Sequence, residues 1–279
     1  MTEATAPYLN PDLPVEQRVD DLIGRMTLAE KLSQMCNACP PIPRLGIPAY
    51  DYWSEALHGV ARNGRATVFP QAIGMAATWN PDLVRRVASA IGDEARAKHH
   101  EAMRRNGGTM IYQGLTFWSP NINIFRDPRW GRVEETFGED PYLTARMGTA
   151  YVIGLQGGDF KTGIMATGKH FLGYGVTEGG MNWAPGHVGW RELRELFLVP
   201  FEAAIKEGKL ASIMNSYHEL DGIPCATSDE IFRTLLRDEL GFDGLVVSDY
   251  HAIDMIGAYH KAARDKRESA VMAMKAGIN

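Results

Sequence analysis

Apolar residues recur along this chain in two patterns: stripes with a 3.6-residue period over long segments, and short unbroken runs that end abruptly in polar side chains. The stripes carry helix start signals. Thr27-Leu-Ala-Glu30 has capping-box spacing and predicts a short helix over TLAEKLSQM, residues 27–35. Asn80-Pro81 offers a cap and a first-turn proline for a longer helix, whose Leu83, Val84, Val87, Ile91 and Ala95 share one face. Asp140-Pro141 predicts another, running to about Gly157. Three more are expected, from Glu192 to Lys206, from Ser228 to about Leu240 and from Lys266 to Lys275.

Between the helices lie FWSPNINIFRD, IMATGKH, ASIMNSYH and GLVVSDYH. Runs that are apolar throughout and then turn polar are the pattern of parallel strands buried on both faces. Strand and helix alternate without hairpin signals, which predicts βαβ units and a parallel sheet, either doubly wound or closed into a (β/α)8 barrel. GLQGGDF is rich in glycine but follows a helix and lacks GxGxxG spacing, so no dinucleotide loop is predicted; no P-loop is present either. A barrel needs neither motif. Its site is assembled from polar residues at the C-terminal ends of several strands, and Arg126 with Asp127, Lys169 with His170, Asn215 with Tyr217, and Ser248 with Asp249 each close an apolar run.

Composition narrows the class further. With 279 residues, 45% hydrophobic and 23% charged, the chain suits a soluble globular protein with a sizeable core. The 29 basic and 34 acidic side chains leave a net charge of -5 without like-charge runs, which argues against nucleic acid as a partner. No export signal or membrane-spanning stretch is read, so a cytoplasmic location is expected. Three cysteines, Cys36, Cys39 and Cys225, are too few for a disulfide framework and are read as free thiols.

If the strand ends converge, the pocket would hold Arg126, Lys169, His170, Tyr217 and Asp249, with Glu55 and His58 of WSEALHG nearby. Charged donors in this number suit a ligand covered with hydroxyls. Beside two cations, Asp249 is expected to keep a lowered pKa and to be available as a nucleophile. Standing alone, it would read as a helix cap. Arg129 and Arg132 are expected to pair structurally with Glu134 and Glu135. His58 is read as a hydrogen-bonded packing residue, and the His99-His100 pair as solvated. A zinc hydrolase using His170, His218, His251 and Asp249 is the competing class, but no HxH or HExxH spacing supports it. Neither a metal nor a cofactor is expected.

WSEALHGVA, TVFPQAIGMAATWN, RDPRWGRVEETFGEDPYL, GKHFLGYG, GGMNWAP, IMNSYHELDGIPC and GFDGLVVSDY, in this order, resemble the family 3 glycoside hydrolases, in their β-glucosidase and β-xylosidase branch. The resemblance runs from about Pro7 to the last residue. It implies an N-terminal barrel domain and retaining, exo-acting hydrolysis of terminal β-xylosyl or β-glucosyl residues through a glycosyl-aspartate. It further implies Asp249 as nucleophile and Glu55, Arg126, Lys169, His170 and Tyr217 as the sugar subsite. Glu55 stands where glucose-specific members usually have Asp. Its extra methylene would occupy the space of a C6 hydroxymethyl and favour xylose, a discrimination of about 1 to 3 kcal/mol.

Two departures from the family pattern matter. Members that hydrolyse N-acetylglucosaminides use a histidine where this chain has Tyr174, which disfavours that activity. Other members draw the acid/base carboxylate from a C-terminal α/β-sandwich domain, which these 279 residues lack, and Asn279 stands in the usual Asp position of the family pattern AGxD, which continues into the eighth strand, so the barrel is expected to be incomplete at its last strand. A partner domain or second chain is therefore expected, together with open sheet edges that pair with other chains. A sugar-binding barrel fragment without turnover is the non-enzyme alternative.

Overall fold

The computed structural model describes residues 6–279; the first five residues of the N-terminal stretch searched for an export signal lie outside them. Helices begin where their cap signals stand. Thr27 and Glu30 make the reciprocal capping box of helix Leu28–Ser33. The Asn80 side chain accepts from the Leu83 amide at 3.0 Å and opens helix α1, Pro81–Asn106. Asp140 does the same for helix α2, Pro141–Gln156. The face that α1 buries is Val84, Ala88, Ile91 and Ala95, and Leu83 of the expected stripe is exposed. The 190–206 segment is continuous helix with a π-type stretch at Leu193–Phe197. Glu230–Glu239 and Lys266–Ala276 complete the expected set.

The central sheet is parallel. Strands β1 (Thr116–Phe117), β2 (Met165–Phe171), β3 (Ser212–Asn215) and β4 (Leu245–Val247) lie side by side in chain order. Thr116 pairs with Met165, Thr167 with Ser212 and Ser212 with Leu245. Single-residue contacts extend the sheet on both sides: Ser54 bridges Phe117 in parallel, and the Asn279 amide donates to the Val246 carbonyl at 2.9 Å. Among the described residues four strands pair in this sheet.

Helices cover this sheet, and its apolar side chains meet them. Phe171 of β2 packs edge-on against Phe201 at 5.0 Å and lies 6.1 Å from Phe232, all three fully buried; each such burial contributes about 1.5 to 3 kcal/mol. Helices α1 and α2 approach closely because Gly154 has no side chain: a Cβ there would sit 2.3 Å from the Arg85 carbonyl.

One expectation fails outright. Glu219–Leu220 and Ile223–Pro224 form an antiparallel hairpin around Asp221-Gly222. Both turn residues have positive φ, 51° and 76°, as the Asp-Gly signal of a tight hairpin turn requires. Ala38–Cys39 and Tyr50–Asp51 form a second antiparallel pair.

Candidate active site

The C-terminal ends of β2, β3 and β4 converge on Asp249. Asn215, the last residue of β3, accepts the Asp249 amide through Oδ1 at 3.0 Å and so ties the turn after β4 to its neighbour. Asp249 Oδ1 accepts from the Tyr217 hydroxyl at 2.8 Å and from the Tyr250 amide at 2.7 Å. Oδ2 is buried and has no hydrogen-bond partner. Burial pushes the Asp249 carboxyl above its ordinary value, against the opposing pull of Lys169, Arg132 and the bonds from Tyr217 and Tyr250. The expected lowering is therefore corrected: the loss of water outweighs the cations. Burial, reinforced by the Asp249 charge, also holds the Tyr217 phenol up, which keeps it a donor.

His170 is fully buried beside this carboxylate. Asn123 Oδ1 accepts from the His170 amide at 2.8 Å and lies 2.9 Å from Nδ1, while Asn123 Nδ2 donates to the His170 carbonyl at 2.8 Å. Since Oδ1 can only accept, Nδ1 carries the ring proton. Nε2 then presents a lone pair, which Arg132 Nη2 faces at 3.1 Å. Burial, with Arg132, Lys169 and His218 adding positive charge, lowers His170 well below its ordinary value. The 3.5 Å approach of Nε2 to Asp249 Oδ2 is thus not an ion pair but two acceptors facing the same space.

Two charge pairs line the site. Lys169 Nζ lies 3.3 Å from Glu55 Oε2, and the Trp53 indole donates to Glu55 Oε1 at 3.0 Å. Arg132 grips Glu135 through two bonds of 2.8 Å. Burial opposes both charges in this pair, yet the mutual attraction wins, raising Arg132 and lowering Glu135. A cleft of about 330 Å³ opens against Glu55, Lys169, Arg132 and Glu135 and continues past His58, Arg62 and Gln71.

Of the residues anticipated at the site, Glu55, Lys169, His170, Tyr217 and Asp249 come together. Arg126 does not. It is exposed and lies over the Phe197 ring at 5.9 Å, while its neighbour Asp127 is held by Arg129. Arg132, expected to be structural, is the arginine that arrives. Its pairing with Glu135 was anticipated; its position against His170 was not. Asn215 was read only as closing an apolar run, and Asn123, which lies inside such a run between Ile122 and Ile124, was missed as the residue that orients His170. His58 bonds the Phe69 carbonyl through Nδ1 at 2.9 Å. His99, expected in solvent, is half-buried against the Gln113 carbonyl at 2.9 Å and lowered by burial. Of the imagined zinc set, His170 and Asp249 are adjacent but His251 is exposed beside Asp254, and no group of three or more potential ligands forms among the described residues. Tyr174, fully buried, donates to the Asn182 carbonyl at 2.9 Å and packs edge-on against His170.

Both the sequence and the fold have counterparts among known proteins. The profile of the glycosyl hydrolase family 3 N terminal domain matches residues 23–279. The chain belongs to this family. It is 42% identical over 279 residues to a xylan 1,4-beta-xylosidase of Xylanibacter ruminicola, covering 99% of this chain and 32% of the relative. A beta-xylosidase of Formosa agariphila is 40% identical, over 97% of this chain and 36% of the relative. Among solved structures, a family 3 exo-beta-xylosidase in complex with a xylobiose aziridine probe superposes with a TM-score of 0.87 at 31% identity, over 98% of this chain and 36% of the other. A b-glucosidase of Erythrobacter marinus gives 0.83 at 31% identity, over 99% and 41%. The chain thus spans about a third of the length of the curated relatives it matches. No helix among the described residues is long and apolar enough to cross a membrane.

Proposed function

We propose that this chain carries the nucleophile and sugar subsite of a retaining, exo-acting β-glycosidase that removes terminal β-xylosyl or β-glucosyl residues. The observation that carries the reading is the asymmetry of Asp249: Oδ1 is held by two donors while Oδ2 is buried, bare and shares its space with His170. Such an oxygen is positioned to attack an anomeric carbon, and a glycosyl-aspartate balances the step as the leaving oxygen departs with a proton. Neutral His170 would accept a hydrogen bond from one sugar hydroxyl, with Arg132 donating to another. Lys169 and Glu55 would grip the hydroxyls beyond them. Glu55, being longer than Asp, would fill the space of a hydroxymethyl and favour a pentose. On the family resemblance, the parallel sheet is taken as part of a (β/α)8 barrel.

Parallel incubation with activated 2-deoxy-2-fluoro β-xyloside and β-glucoside, followed by peptide mass analysis, tests this. The expected label is on Asp249 and forms faster with the xyloside. A label on another residue overturns the mechanism, and faster labelling by the glucoside overturns the pentose preference.

A second reading has one observation in its favour. Two of the carboxylates that line the cleft are engaged, Glu55 by Lys169 and Trp53 and Glu135 by Arg132, so neither of these is free to protonate a leaving group; Glu134 lines the cleft as well. We assign that proton to a group outside these residues, in a further domain or a partner chain. Without it the site would hold sugars but turn over only activated substrates. Binding of xylose in a calorimeter with no label on Asp249 is the outcome that would favour a purely binding role.

A further inference from the structure

Tyr217 lies in the turn between β3 and the 219–224 hairpin, and its hydroxyl is the side-chain donor to Asp249. Behind it sits His260, whose ring is almost fully buried, with its side chain 3% exposed. Nε2 lies 2.9 Å from the Tyr217 carbonyl, and Nδ1 lies 3.0 Å from Glu219 Oε2. Both partners are acceptors, so both bonds form together only when both ring nitrogens donate. His260 closes the far end of helix α3, Ala252–Ala258, its amide bonding the Met255 carbonyl at 2.9 Å. That helix starts three residues after Asp249. One imidazole therefore joins the segment that follows the carboxylate to the segment that carries its donor.

We propose that His260 is a positioning residue: by clamping the Tyr217 main chain and Glu219 to the end of α3, it holds the Tyr217 hydroxyl on Asp249 Oδ1. The inference rests on the reading of Asp249 as nucleophile. It follows from geometry, since the phenol reaches Oδ1 from a main-chain turn that must not shift relative to β4. Neighbouring bonds secure the residues on either side: the Ser216 amide donates to Phe171 and the Cys225 amide to His218, at 2.9 and 3.0 Å. His260 secures Tyr217 itself.

Tyr217 lowers the Asp249 carboxyl, so losing its bond moves the acid limb of Asp249 reactivity to higher pH. The test is the pH dependence of the rate at which 2,4-dinitrophenyl 2-deoxy-2-fluoro-β-xyloside labels the intact chain, in a double-mutant cycle. Tyr217→Phe should slow labelling on the acid limb by about tenfold for each unit the limb moves. His260→Phe should slow it several-fold in the same direction. The double variant should be no slower than Tyr217→Phe alone, because the second change has nothing left to release. His260→Gln, which keeps a donor for the Tyr217 carbonyl, should restore the wild-type limb. An unmoved limb in His260→Phe, or losses that multiply in the double variant, overturns the clamp. If His260→Phe does not fold, Glu219→Ala replaces it; a shifted limb supports the clamp and an unmoved one overturns it. Failure to label Asp249 in the wild type would instead overturn the functional reading.

Discussion

At Asp249 the folded chain pays a solvation cost: a carboxylate with one bonded oxygen and one bare oxygen is held away from water. Its pKa is raised above the unfolded value, so folding favours the protonated form. The corresponding stability is fully present below the unfolded pKa and is lost as pH rises through the folded one. Asp249→Asn removes this loss, since an amide keeps the Tyr217 and Tyr250 donors satisfied at Oδ1. The variant should melt higher than wild type at pH 7, with the difference shrinking toward acid; each 1 kcal/mol regained corresponds to about 2 to 4 °C. His170 is lowered well below its ordinary value and His218 to about 3, and both destabilise the fold as pH falls through the ordinary histidine range. The His218 effect is common to both proteins and cancels in the difference, whereas His170 lies 3.5 Å from the substituted side chain, so the comparison is made above the histidine range. An equal or lower melting temperature for the variant at pH 7, by calorimetry, would contradict the account.

Among the elements, the helices with polar caps were the most legible. Asn80, Asp140 and the Thr27–Glu30 box each mark a start within a residue, because a capping side chain acts on backbone amides two or three residues away and needs nothing distant. Val15–Arg25 and α3 were not anticipated: their caps are Pro14 and His251, and neither makes a side-chain capping bond. The hairpin at Asp221-Gly222 was legible in principle and was overlooked among the parallel runs. Close packing of α1 on α2 was not legible, since Gly154 becomes a contact point only once Arg85 and Ala88 lie against it. Gly154→Ala should destabilise the chain by about 1 to 3 kcal/mol, because a Cβ must displace backbone. Urea unfolding checks this, and a change under a few tenths of a kcal/mol would show that the helices separate freely.

For the molecule as a whole, the sheet presents its strand ends as one surface, with Asp249, Lys169, His170 and Tyr217 drawn from three successive strand ends. If the proton for the leaving group comes from outside these residues, the chain should discriminate by leaving-group chemistry. Turnover of xylobiose should fall below that of an activated aryl xyloside by about 10² to 10⁴-fold more than in an enzyme that has a general acid. Steady-state assays on both substrates check this, and similar, high rates on the two would place a general acid within the chain.

What the sequence by itself determined is local or ordered: cap positions, the buried apolar runs, the family's motifs and the identity of most of the polar residues that close the strands. These depend on neighbours a few positions away or on motif order along the chain. Only the tertiary structure decided which arginine faces the carboxylate and which proton each group holds. Lys169 and Glu55 are 114 residues apart, and Asn123 and His170 are 47 apart. Arg126 and Arg132 differ by six positions, yet one is exposed over Phe197 and the other faces His170. The Asp249 carboxyl is raised rather than lowered because its charge is weighed against lost water, and the packing around a side chain sets that loss.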